Sequence, residues 1–221
     1  MTDIFADRKW LGLVDKMHKR CREIYGRSQV ELPRVGSPIR EETLATIEHR
    51  DWIPEQMLAF AREIDGFRLI WTPSDGRQFD KGNVNILPLE KIYGDWEGTV
   101  YFDGDDEGSQ TRNFKIVDFF ADEACVGIFH DERRSPELHY FNLEDFTSLG
   151  VDLNGYLQLL TQTLGYHYWQ RLLRELASST VRPFRPQWPQ SQQTLADLET
   201  VVPGFNLDAF VQLYDEVRLR A

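Results

Sequence analysis

FKIVDFFADEACVGIFHDERRSPELHYFN, residues 114–142, holds three short strand candidates in succession, FKIVDFF, CVGIFHD and ELHYFN, separated by turns containing Asp and Pro. Short strands joined by tight turns favour antiparallel pairing, because each chain reversal lays a strand beside its predecessor. The pattern extends upstream through FRLIWT at 67–72, VNILPL at 84–89 and GTVYFD at 98–103, with the turn-forming PSDGRQFDKGN between the first two. These segments predict a mixed, largely antiparallel sheet.

Helical periodicity flanks the strands on both sides. Between Asp7 and Tyr25, apolar residues at Trp10, Val14, Met17, Cys21 and Ile24 fall on one helical face, while Arg8, Lys9, Lys16, Lys19, Arg20 and Arg22 occupy the others. A helix packed on the domain with a solvated basic face is the expectation for this segment. VELPRVGSP then reads as a connector. Further helices are predicted at 40–49 and from Pro54, which suits a first turn, to the stop at Gly66.

Beyond the strands, one long helix is predicted from Leu153 to Ala177, weakened locally at Gly155 and Gly165. Residues 181–193, VRPFRPQWPQSQQ, read as a Pro- and Gln-rich linker whose Phe184 and Trp188 can dock on the domain or on another protein. Asn206 is placed to cap a last helix running to Arg218. The fold class expected is α+β, with helices around the sheet. Its divisions are an N-terminal helical extension at 1–35, a core at 36–180, and a linker with a C-terminal helix at 181–221.

A chain of 221 residues with 41% hydrophobic content can bury a core without disulfides. Cys21 and Cys125 give neither a disulfide framework nor zinc spacing. The opening MTDIFADRKW lacks the apolar segment of a secretory signal, and no apolar run approaches the ~18 residues of a membrane span. A cytoplasmic protein with no membrane partner is the expectation.

The net charge of -11 is local. Between Asp95 and Asp152, fifteen Asp and Glu face only Arg112, Lys115, Arg133 and Arg134, whereas the remainder carries 21 acids and 21 bases. The density peaks in DWEGTVYFDGDDEG, residues 95–108, where Trp96, Tyr101 and Phe102 interleave with the acids. Aromatics beside unpaired acids suit a surface that anchors in a basic partner, although strand alternation buries at least one of Tyr101 and Phe102. The partner-binding residues predicted are Asp95, Trp96, Glu97, Asp103, Asp105, Asp106 and Glu107.

Other chemistries fit this segment poorly. DGDDEG superficially resembles a calcium loop, but the twelfth position counted from Asp103 is Phe114, where a bidentate carboxylate is required. The five histidines stand in no HxxxH or HExxH spacing. Cys125 and His130 lie an odd number of residues apart on one strand, so they point to opposite faces. Phosphate-loop, GxGxxG and GxSxG motifs are missing from the sequence, and an acidic surface repels nucleic acid. The expectation is a protein without catalytic residues, cofactor, metal or nucleic-acid partner.

The order of WIPEQMLAFAREIDGF, NILPLEKIYGDW, FKIVDFFADEACVGIFHD and LHYFNLEDFTSLGVDLNGYLQLLTQ resembles the SMI1/KNR4 family, the SUKH superfamily, over about residues 40–177. Ile53, Pro54 and Gly66 match its helix running to a glycine at the first strand, Ile86 to Ile92 its "ilPLEEi"-like phrase, and Leu153 to Leu160 its "sF.eYL"-like helix. Glu48 to Pro54 is shorter and more polar than the family's approach to that helix, and residues 1–35 and 180–221 exceed its compact core. The resemblance implies an α+β fold and, in bacteria, an immunity protein that neutralises a cognate toxin by occlusion. Fungal relatives imply the alternative of a regulatory scaffold in cell-wall synthesis and signalling.

Overall fold

The structure is a computed structural model that describes residues 9–74, 81–103, 109–142 and 145–219. Among these residues the sheet has seven strands: β1 (Arg34–Val35), β2 (Phe67–Trp71), β3 (Gly82–Ile86), β4 (Phe114–Ala121), β5 (Ala124–Phe129), β6 (His139–Phe141) and β7 (Phe146–Ser148). They lie in sequence order, and all six pairings are antiparallel. Among the described residues eight helices surround them: α1 (Lys9–Tyr25), α2 (Glu41–Thr46), α3 (Glu55–Glu63), α4 (Leu89–Ile92), α5 (Leu153–Thr163), α6 (Gln170–Ser178), α7 (Pro189–Val201) and α8 (Leu207–Val217). The α+β expectation holds.

Burial alternates along β2 and β3, which cover one face, whereas five consecutive residues of β5 are buried and both of its faces are covered. Helix α1 buries Trp10, Val14, Met17 and Cys21, as its periodicity predicts. Its first turn is capped from elsewhere in the chain: Glu63 Oε1 accepts the N–H groups of Trp10 and Leu11 at 2.7 and 2.9 Å. One continuous hydrophobic cluster runs from Trp10 through the sheet to Phe210 and Tyr214. The segments that flank the strands therefore contribute to the same core.

GTVYFD does not form a strand. Residues 98–100 turn, and Tyr101 makes only an isolated bridge to Glu97. The local reason is Gly98, whose φ of 77° reverses the chain. The long helix expected over 153–177 is two helices, because Leu164 and Gly165 take left-handed φ values of 52° and 69°. A side chain at Gly165 would strike Val84; without one the chain closes on β3, where the Gly165 carbonyl accepts the Asn83 N–H at 3.0 Å. Helix α7 starts within the expected linker, at Pro189, and Phe184, at 2% exposure, docks on the domain itself.

Trp71 joins several elements. Its ring stacks on Tyr25 at a centroid distance of 4.1 Å, and its indole N–H donates to the Leu164 carbonyl at 2.8 Å. Gly82, its partner across β2 and β3, leaves the space the indole fills.

Strand β4 carries the most irregular pairing, with register shifts on both sides of Asp118. Asp118 is fully buried in this bulge. Its Oδ1 accepts the Asn85 backbone N–H at 3.0 Å, supplying the acceptor that the interrupted ladder lacks. Its Oδ2 accepts the Tyr156 hydroxyl at 2.6 Å, and Gln170 donates to that hydroxyl oxygen at 3.0 Å. Burial pushes the Asp118 carboxyl up to about 6, against the opposing pull of these donors. Asp118 and Tyr156 have no exposed surface, so the network serves the core.

The strands β3 and β4 are joined by residues 87–113, which carry α4 and then the most acidic part of the sequence.

Candidate functional site

After α4 the chain enters a turn organised by Asp95. Its carboxylate accepts the Glu97 N–H at 3.1 Å and the Tyr101 hydroxyl, closing residues 95–101 into a compact unit. The Trp96 carbonyl accepts the N–H groups of Thr99 and Val100 at 3.1 and 2.9 Å, and Gly98 donates to the Tyr101 carbonyl at 2.8 Å. The Tyr101 hydroxyl, more than the Glu97 N–H, holds the Asp95 carboxyl below its usual range. The same bond raises Tyr101.

Trp96 faces inward. It is half-buried against the core, its ring centroid 6.2 Å from Phe119, and its indole N–H donates to the Ile92 carbonyl at 2.9 Å. Val100 and Tyr101 are buried as well, while Phe102 stands 57% exposed. The exposed aromatic of this turn is thus Phe102. Asp95 and Trp96 shape the turn, and Glu97 and Asp103 present its charge.

Glu97 and Asp103 are both exposed, and their carboxyl groups face each other closely enough to share a hydrogen bond. That bond, followed by the Asp103 charge, raises Glu97. Neither acid forms an ion pair with a described residue, although the Arg112 guanidinium lies 4.6 Å from the Tyr101 ring and acts on Glu97 from a distance. An approaching cation relieves the repulsion that Glu97 experiences from the adjacent carboxylate, and is stabilised there. Asp105, Asp106 and Glu107 lie outside the described residues.

Lys115 connects this turn to a second feature that sequence reading missed. Its ammonium donates to the Gly94 carbonyl at 3.0 Å. Burial lowers its proton affinity, while Asp95 on one side and Glu48 on the other raise it. The Glu48 carbonyl lies 3.2 Å from His130 Nε2. His130 in turn packs against Tyr93 at 4.6 Å and Trp52 at 5.5 Å, and Trp52 stacks on His49 at 4.0 Å. Desolvation lowers His130, which favours the neutral ring at physiological pH. His49, Trp52, Tyr93 and His130 come from separate stretches of chain, and no local spacing could have revealed their assembly.

Cys21 and Cys125 are free and buried; desolvation pushes Cys21 up to about 12 and raises Cys125 further. Thiols held protonated in this way are poor nucleophiles. Among the described residues no three His, Cys, Asp or Glu side chains gather into a group able to hold a metal ion. Among those residues, too, no helix is long and apolar enough to cross a membrane.

Comparison of the chain with protein-family models, curated proteins and solved structures finds no match.

Proposed function

We propose that this chain is a non-catalytic protein-binding domain whose acidic turn holds a basic protein partner, and that it acts as an immunity protein of the SMI1/KNR4 type. In that role it neutralises a cognate toxin in the cytoplasm by covering the toxin's working surface. The observation that carries the reading is the pairing of exposed Glu97 and Asp103, without a cationic partner among the described residues, beside the exposed ring of Phe102. Unneutralised acids raise the encounter rate with a cationic surface, and an adjacent aromatic supplies desolvated contact once the partners meet. The resemblance of residues 40–177 to the SMI1/KNR4 pattern supports the toxin as the partner's class.

The test uses the protein encoded next to this chain. Co-expression should rescue cells from that protein, and the two should co-purify; rescue without binding would overturn occlusion, and neither rescue nor binding would overturn the immunity role. Substituting Glu97 and Asp103 by Lys together should weaken rescue, while Phe102→Ala should speed dissociation more than it slows association.

A further inference from the structure

Helix α6 carries Arg171 and Arg174 three positions apart, and both line one cavity of about 200 Å³. Tyr140 of β6, Glu123, and Gln190 and Ser191 from the first turn of α7 complete most of its wall. A neighbouring cavity of about 430 Å³ shares Arg171 and Gln190 and is bounded by His167 and Tyr168.

Both arginines are half-buried, and neither forms an ion pair with a described residue. Aromatic rings hold them in place instead. The Arg171 guanidinium lies 3.8 Å from the Tyr168 centroid, and that of Arg174 lies 4.7 Å from Trp188 and 5.3 Å from Tyr140. Stacking on a ring fixes the plane of a guanidinium and leaves its N–H groups directed outward from its edge. The Nε of Arg174 is enclosed and has no hydrogen-bond partner. The Arg171 guanidinium lies near enough to the Tyr140 hydroxyl to oppose the upward push of burial on its pKa, and the hydroxyl can donate to a further acceptor.

The acids nearby do not neutralise the pair. Glu123 accepts the Tyr168 hydroxyl at the rim. Glu175 is buried and accepts the N–H groups of Gln187 and Trp188, and Asp197, in the second cavity, accepts the Gln193 amide at 2.8 Å. Lys81 adds positive charge near His167, whose ring desolvation lowers to about 4 and so leaves neutral at pH 7. Two like charges this close, half-removed from water and unpaired in a chain of net charge -11, call for a counter-ion.

We propose that the cavity binds one phosphate-class oxyanion between Arg171 and Arg174, with the Tyr140 hydroxyl as a third donor. Two fixed guanidiniums match the charge of a phosphate dianion and offer paired donors to its oxygens. The volume suits one such group with its residual water, and Glu123 at the rim disfavours longer polyanions.

The test is calorimetric titration of the full chain with inorganic phosphate at pH 7.5, ionic strength held constant with potassium chloride. One saturable site is expected, weakened about tenfold or more in Arg171→Gln and in Arg174→Gln and to a smaller degree in Arg171→Lys, which keeps charge but loses the fork. O-phosphoserine in a parallel titration assigns the source: tighter binding than inorganic phosphate marks a phosphomonoester, and weaker binding marks the free ion. Circular dichroism checks folding, and if Arg174→Gln unfolds, Arg171→Gln and Arg171→Lys carry the decision. The absence of saturable binding, or binding unchanged in the folded arginine variants, would overturn the proposal.

Discussion

Replacing Tyr156 by Phe tests whether the Asp118 network acts as a charged core element. Both residues are fully buried, and the Tyr156 hydroxyl reaches Asp118 Oδ2 at 2.6 Å while accepting from Gln170 at 3.0 Å. With its carboxyl raised from 3.8 to about 6, Asp118 binds its proton more tightly in the folded chain than in the unfolded one. Its contribution to stability is therefore complete below the unfolded value and is lost as pH rises through 6, a swing of about 3 kcal/mol. Above that pH the buried carboxylate depends on its donors. A hydrogen bond to a charged group contributes about 1.5–3 kcal/mol and a neutral one about 1 kcal/mol. Tyr156→Phe should accordingly cost about 2–3 kcal/mol at pH 8 and about 1 kcal/mol at pH 5, where Asp118 is mostly protonated. Urea unfolding of variant and wild type, followed by tryptophan fluorescence at both pH values, measures the difference. Equal losses at the two pH values, or a loss below about 0.5 kcal/mol at pH 8, would refute the charged-network reasoning.

Two further predictions concern packing. Gly82→Ala places a methyl group where the Trp71 indole lies, so the indole must move and its 2.8 Å bond to the Leu164 carbonyl must break; a loss of about 2–4 kcal/mol and an altered near-UV spectrum are expected. A stability within about 0.5 kcal/mol of wild type would show that the pocket can rearrange. Removing residues 181–221 takes Phe184, Leu198, Phe210 and Tyr214 out of the core, so the remaining chain should lose its cooperative thermal transition and bind a hydrophobic dye. A shortened chain that still melts cooperatively would show that the core forms without this segment.

Much of the fold was legible because period and capping agree. The 3-and-4 spacing of Trp10, Val14, Met17 and Cys21 gave α1, and Asn206, whose side chain accepts the Ala209 N–H at 2.8 Å, marked the start of α8. Where reading failed, tertiary contacts outweighed local pattern. GTVYFD alternates like a strand, yet the Asp95 carboxylate draws Tyr101 back and the segment closes on itself. Pro189 was a helix-start signal at the first position of α7, masked by the Pro and Gln composition around it. The two-residue β1 and three-residue β7 are too short to carry a period.

The candidate site was legible in charge and not in geometry. Composition located the acids, but it could not distinguish Asp95, whose carboxylate shapes the turn, from Glu97 and Asp103, which face solvent. Nor could it show that Trp96 turns inward while Phe102 turns outward. Arg171, Arg174 and Tyr140 were equally invisible as a group, because their common cavity exists only after α6, α7 and β6 have packed.

The central claim is that Glu97 and Asp103 steer a basic protein partner onto this face. Its most direct test is the association rate of the chain with the protein encoded beside it, measured from low to high salt for wild type and for the Glu97→Lys, Asp103→Lys double variant. The account predicts association slowed on the order of tenfold at low salt, a flattened salt dependence, and a much smaller change in dissociation. Identical association rates and identical salt slopes for the two proteins would contradict it.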